Sequence, residues 1–222
     1  MKLKLSKTVS SLGFILLIPS LILNLLLFQK NQTNSQGILV IEVLDGDTLL
    51  LDGKVRLRLR QLDAPELENC GGAEAKDFLT NLVKDKKIVL KENILDQYGR
   101  PMALVYLNNQ SINLKMIQSG WARYHSDNTE LTEELKAAAS EIKAQKIGIY
   151  GPDCYQTENL AQPECNIKAN IDKNSYTNNK KYYLPNCAQY DFTIIEKDIG
   201  ESWFCTEKQA QAAGFIKAET CH

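Results

Sequence analysis

The apolar positions of this chain fall into three unlike patterns. Residues 8–28, TVSSLGFILLIPSLILNLLLF, form one unbroken uncharged run. From Ile38 the apolar residues come in short groups at strand spacing: ILVIEVL, then TLLLDGKVRLRL, whose two arms meet at Asp52-Gly53, a strong hairpin signal. Ala73 to Val83 sets Phe78, Leu79, Leu82 and Val83 at helical spacing. Ile88 to Leu90 and Ala103 to Leu107 read as further strands, and Asn113 to Ser119 as a short helix stopped by Gly120. Thr129 to Lys146 predicts the longest helix, with Leu131, Leu135, Ala138 and Ile142 on one face. Glu130, Glu133 and Glu134 crowd its first turn, where the helix dipole favours acids. Strands, helix, strands, helix, helix predicts a small α+β domain on a curled antiparallel sheet, residues 38–154. The polar stretch 155–164 reads as a linker. Residues 165–222 read as a small cysteine-rich module, in which Thr206 and Gln209 cap a short helix that Gly214 stops.

The uncharged run is about the ~20 residues that cross a bilayer as a helix. It follows Lys2, Lys4 and Lys7 and ends without a small-x-small cleavage site. This favours an uncleaved signal anchor over residues 1–30, with the polar tether 31–37 and everything beyond it outside the cytoplasm. A cleaved leader, and hence a secreted protein, is the alternative. The six cysteines, Cys70, Cys154, Cys165, Cys187, Cys205 and Cys221, are an even set that suits disulfides in an exported chain. With no CxxC pair and two histidines, zinc has little support. The net charge of -1 announces no polyanion partner, so any such binding must come from a local patch.

The stretch 43–68, VLDGDTLLLDGKVRLRLRQLDAPELE, holds such a patch. Side chains alternate across a strand, so Val55, Leu57, Leu59 and Gln61 should share one face and Arg56, Arg58 and Arg60 the other. A solvated strand face is the plain reading. Yet three guanidinium groups in a row repel unless an anion is present, and their planar forks suit phosphate oxygens. Carboxylates flank the strand: Asp45 and Asp47 before it, Asp63, Glu66 and Glu68 after it. Two aspartates converging from neighbouring strand ends can hold Ca²⁺ and leave positions for water and phosphate. Downstream, DQYGR sets Arg100 beside Tyr98 in a turn.

DGDT (45–48), RLRQLDAPE (58–66) and DQYGR (96–100), in this order and at these intervals, strongly resemble the staphylococcal nuclease family. The likeness covers about Ile38 to Tyr150. It implies a five-stranded OB-type barrel with three helices, and Ca²⁺-dependent cleavage of DNA and RNA that leaves 5′-hydroxyl and 3′-phosphate ends. It implies Asp47, Asp63 and the Ala64 carbonyl as metal ligands and Glu66 as general base. Arg58 and Arg100 would stabilise the scissile phosphate, with Tyr98, Arg60 and Tyr124 as nucleotide-binding candidates. The chain departs from the family at Ala64, where threonine is usual, and at Gln97, where lysine is common. The family's paired tyrosines lack a secure match, and Tyr124 or His125 stands in their place. A Cys70–Cys154 disulfide resembles a pattern of exported members, which leaves Cys165–Cys221 and Cys187–Cys205 as the expected remaining pairs among three connectivities. The C-terminal stretch resembles a small domain appended to bacterial secreted nucleases, and its Trp203, Phe204 and Phe215 are expected to form a mini-core.

The expectation is thus a membrane-anchored, outward-facing Ca²⁺ nuclease acting on DNA, with RNA left open and no protein partner inferable. Two alternatives stand beside it: a non-catalytic OB module that binds nucleic acid, and a disulfide-stabilised surface interaction protein.

Overall fold

The computed structural model describes residues 37–172 and 179–221. The expected anchor and residues 31–36 of the tether lie outside the described residues. Among those described, no helix is long and apolar enough to cross a membrane.

The first three strands, β1 (Ile38–Val43), β2 (Thr48–Leu51) and β3 (Val55–Leu59), form an antiparallel meander turned at Asp52-Gly53. β1 also pairs with β5 (Lys87–Leu95), and β5 with β6 (Pro101–Leu107). β6 then lies parallel to β3, with Arg58 opposite Met102, and this pairing closes a five-stranded barrel. Leu49, Leu51, Leu57, Leu59, Ile88 and Val105 fill it. α1 (Gly72–Val83), α2 (Ile112–Gln118) and α3 (Thr132–Gln145) pack Leu79, Met116 and Leu135 into the same core. Burying such side chains contributes about 1.5–3 kcal/mol each before entropy is counted. The short β7 (Gln110–Ser111) pairs with β6, and a two-residue pair, β4 (Leu62–Asp63) with β8 (Arg123–Tyr124), lies beside the barrel.

Three elements differ from expectation. β5 is nine residues long rather than three, because its polar middle hides the return of Ile94 and Leu95 to the sheet past an irregularity at Glu92. The arginine alternation stops at Leu59: the Arg60 amide donates to the Ala103 carbonyl at 2.9 Å, and Gln61 takes φ +63°. The longest helix starts at Thr132 rather than Thr129, because the Thr129 amide donates to the Thr132 hydroxyl at 2.9 Å in a turn of its own.

Downstream, β9 (Tyr155–Gln156) pairs with β12 (Ile195–Glu196). A four-stranded sheet orders β13 (Ser202–Phe204), β10 (Ile167–Ile171), β11 (Lys180–Tyr183) and β14 (Ile216–Lys217). The predicted capping box at Thr206 and Gln209 starts α4 (Glu207–Ala212). The mini-core is Ile167, Ala169, Tyr182, Ala210 and Phe215 with Phe204 against it, whereas Trp203 lines a surface cleft beside Lys168.

The disulfides correct two of the three expected pairs. Cys70 joins Cys154, but Cys165 joins Cys205 and Cys187 joins Cys221. The reason is strand register. Ile167 lies opposite Phe204, which sets Cys165 and Cys205 at the same end of one strand pair. The Ala218 amide donates to the Tyr182 carbonyl at 3.0 Å, carrying the chain's end to the Cys187 turn. Neither register can be read from cysteine spacing.

Candidate active site

The site begins at the turn Asp45-Gly46-Asp47 that feeds β2. Asp45 accepts the Asp47 amide at 3.0 Å, a local turn that short acids favour. Gly46 is required by space: a Cβ there would stand 2.5 Å from the Ala64 Cβ and 2.6 Å from that of Ala75. This close approach seats Asp47, 3% exposed, against the chain leaving β4. Its Oδ1 accepts from the Thr48 hydroxyl at 2.9 Å and from Arg58 at 2.7 Å, and its Oδ2 from the Ala64 amide at 3.1 Å. The other nitrogen of the Arg58 fork donates to Asp63 Oδ1 at 2.6 Å. One guanidinium on β3 therefore spans two carboxylates from two other elements.

Burial pushes the Asp47 carboxyl up to about 7, against the pull of Arg58 and its hydrogen bonds and with the help of Asp45. Burial also disfavours the Arg58 charge, but Asp47 and Asp63 outweigh it and raise its pKa. Desolvation wins at the more buried group, and the ion pair wins at the other.

Arg58 and Asp63 line an open cleft of about 640 Å³ with Glu66, Tyr98 and Arg100. Glu66 is exposed on the loop between β4 and α1. Tyr98 and Arg100 come from the β5–β6 turn, which Asp96 organises by accepting both their amides at 2.8 Å and Arg100 Nε at 2.6 Å. Desolvation is the largest single influence on the Asp96 carboxyl and raises it, but these bonds and the Arg100 charge together outweigh it and hold the carboxyl low. Gly99 supplies the turn's φ of +75°. The guanidinium of Arg100 lies over the Tyr98 ring, 5.3 Å from its centroid. A half-exposed aspartate, the arginine that ties it to the buried Asp47, an exposed glutamate and an arginine–tyrosine turn thus meet at one cleft, although the chain separates them by some fifty positions (Asp47 to Arg100).

The profile of the family described as "Staphylococcal nuclease homologue" matches residues 56–151, the span that supplies most of this cleft. A micrococcal nuclease of Shigella flexneri is 31% identical over 126 residues, 50% of this chain and 71% of that one. A thermonuclease of Staphylococcus hyicus is 31% identical over 133 residues, 54% of this chain and 79% of that one. This chain belongs to the staphylococcal nuclease family. An uncharacterized endonuclease of Haemophilus influenzae is 37% identical over 111 residues, 46% of this chain and 62% of that one, so the chain spans less than two thirds of that relative.

Within this staphylococcal nuclease fold two expected nucleotide contacts are placed otherwise. Arg60 is 8% exposed, and its guanidinium is occupied by Asp127, by Glu92 and by the Asn128 carbonyl. It braces the cleft wall, because the chain turns inward after Leu59. Tyr124 is half-buried against the core, and its buried hydroxyl finds no partner among the described residues. His125 and Ser126 line the cleft in its place. Sequence reading missed Asp127 and Glu92 as organisers, since nothing in their spacing pairs them with an arginine; it placed Asp96 in the turn of Tyr98 and Arg100 but gave it no organising role.

No three His, Cys, Asp or Glu side chains among the described residues stand together as a metal cage. The donors present are two carboxylates sharing one guanidinium, one of them buried, beside an open cleft. Such a set fits a hard cation that keeps much of its water. Asp47, Asp63 and the Ala64 carbonyl are the residues that would hold it.

Proposed function

We propose that this staphylococcal-type nuclease is Ca²⁺-dependent, that it hydrolyses phosphodiester bonds of DNA with little sequence preference, and that RNA is its second substrate. The observation that carries this reading is the Arg58 fork shared by Asp47 and Asp63 at the edge of a cleft that also holds Glu66 and Arg100. Bound Ca²⁺ would orient water and polarise the phosphate. Asp47, Asp63 and the Ala64 carbonyl would hold it, and Arg58, aimed by those two aspartates, stands ready for phosphate oxygens. Glu66, exposed to the cleft, takes the proton of the attacking water. Negative charge builds on phosphorus oxygens in the transition state, and Arg58 and Arg100 stabilise it from positions fixed beforehand by Asp47, Asp63 and Asp96. Tyr98 offers its open face to a base.

The working place of the enzyme, on this reading, is outside the cytoplasm, held at the membrane by residues 1–30. The uncharged run 8–28 and the three disulfides support it. The deciding experiment follows hydrolysis of single-stranded DNA and of RNA by the purified chain in Ca²⁺ and in chelator, beside Glu66→Gln. Cleavage that needs Ca²⁺ and that Glu66→Gln loses supports the reading. Folded protein that binds DNA in Ca²⁺ and leaves it intact overturns it in favour of a binding module.

A further inference from the structure

The loop from Asp63 to Cys70 carries Asp63, Ala64 and Glu66, and both of its ends are held by one short segment of the C-terminal module. At the first end, Asp63 lies directly opposite Arg123 in the β4–β8 pair. The Arg123 guanidinium is gripped in turn by Asp198, with Nε to Oδ2 at 2.6 Å and the second nitrogen to Oδ1 at 2.8 Å, and it reaches Glu196 at 3.2 Å. Such a two-pronged ion pair fixes orientation as well as distance, and the Asp198 side chain is 1% exposed. At the other end, Asn69 donates to the Asp198 carbonyl at 3.3 Å, and the Cys70 amide to the Lys197 carbonyl at 3.4 Å. The Lys197 amide donates to the Cys154 carbonyl at 2.8 Å, and Cys154 is disulfide-bonded to Cys70. Between the ends, the Asn69 amide bonds the Glu66 carbonyl at 2.9 Å. Gly72 packs so closely that a Cβ there would stand 2.0 Å from that same carbonyl. Residues 196–198 therefore reach the Glu66 backbone through one intervening residue.

We propose that the C-terminal module is a clamp on the catalytic loop, with Arg123, Asp198 and Asn69 as positioning residues that set Asp63 and Glu66. Among the described residues, the hydrogen bonds and ion pairs that join the module to the barrel domain fall on this loop and on its anchors Arg123 and Cys154, which a domain serving only as an independent appendage would not require. The inference rests on the roles given to Glu66 and Asp63 above. Misplacing a catalytic group by about 1 Å costs on the order of 10²-fold in rate, so loosening the clamp lowers kcat far more than it raises KM.

The test measures kcat and KM for single-stranded DNA and the Ca²⁺ concentration at half-maximal rate. It uses the full-length chain, its Asp198→Asn, Asn69→Ala, Arg123→Met and Arg123→Lys variants, and Asp198→Asn combined with Glu66→Gln. Melting curves establish folding for each. The clamp predicts that Asp198→Asn and Arg123→Met lower kcat by about 10-fold or more with KM changed less than about 3-fold, and that Arg123→Lys recovers part of the loss. It also predicts a higher Ca²⁺ requirement, because the clamp sets Asp63, and a smaller loss from Asp198→Asn in the Glu66→Gln background than in the wild type, because part of its effect runs through Glu66. Should Asp198→Asn melt below the assay temperature, the milder Asn69→Ala decides: a lowered kcat supports the clamp and an unchanged one overturns it. Folded Asp198→Asn and Asn69→Ala that both keep kcat within about twofold overturn the clamp alone. A wild-type chain that leaves DNA intact in Ca²⁺ overturns the nuclease reading, and the clamp with it.

Discussion

Arg58 shows how one residue serves two states. Without a cation its fork neutralises Asp47 and Asp63 together, yet burial still drives the Asp47 carboxyl up to about 7. The folded chain therefore binds more protons than the unfolded chain, whose carboxyl titrates near 3.8, and Asp47 makes metal-free stability fall as pH rises between those values. Asp47→Asn removes the buried charge. In chelator at pH 8 its melting temperature should exceed the wild type's, and the gap should close as pH falls from about 7 toward about 4, while Ca²⁺-dependent hydrolysis is lost. Thermal melts across that range check it. Arg100 bears a simpler prediction. It projects into the cleft from a turn that Asp96 organises through the backbone, so Arg100→Gln leaves the turn in place and should lower kcat on the order of 10²-fold with a small change in melting temperature. Steady-state kinetics on single-stranded DNA reads the effect.

Single elements show why strand periodicity carried the arginines only part of the way. Leu57 and Leu59 enter the core as their alternation demands, but the strand ends there and the chain turns toward β4. Arg60 consequently meets Asp127 and Glu92, acids from the loop before α3 and from the middle of β5, and the clasp ties those elements to the cleft wall. Asp127→Ala should destabilise by about 1.5–3 kcal/mol, toward the lower figure because Glu92 remains. The Arg60 hydrogen bond holds the Asp127 carboxyl below its ordinary 3.8. This stabilisation is therefore complete above about pH 4 and is lost as pH falls through the lower, folded-state value. Urea unfolding of both proteins at neutral and acid pH should show the difference shrinking with acid.

At the scale of the molecule, the Cys70–Cys154 bond closes a separation of 84 residues and fastens the loop after β4 to the segment that follows α3. Replacing both cysteines by serine should cost about 2–5 kcal/mol and, if the clamp holds, more activity than its effect on melting explains. Peptide mapping of the non-reduced chain checks the other two bonds, and it should recover Cys165 with Cys205 and Cys187 with Cys221.

What the sequence determined by itself is what local chemistry encodes. Periods of two and near four placed the barrel's helices and its main strands, apart from the length of β5. Asp52-Gly53 placed the hairpin, and Thr206 with Gln209 the last helix. The carboxylate and arginine motifs, through the family resemblance they carry, pointed to Asp47, Arg58, Asp63, Glu66 and Arg100 as candidate site residues. Only the tertiary structure decided which arginine stays available and which is spent on the wall, which cysteines meet, and that Asp198 stands behind Asp63. Each of these depends on pairing between residues far apart in the chain. Arg60 and Asp127, Cys165 and Cys205, Arg123 and Asp198 are brought together by strand register and barrel closure, and no spacing along a single chain records them.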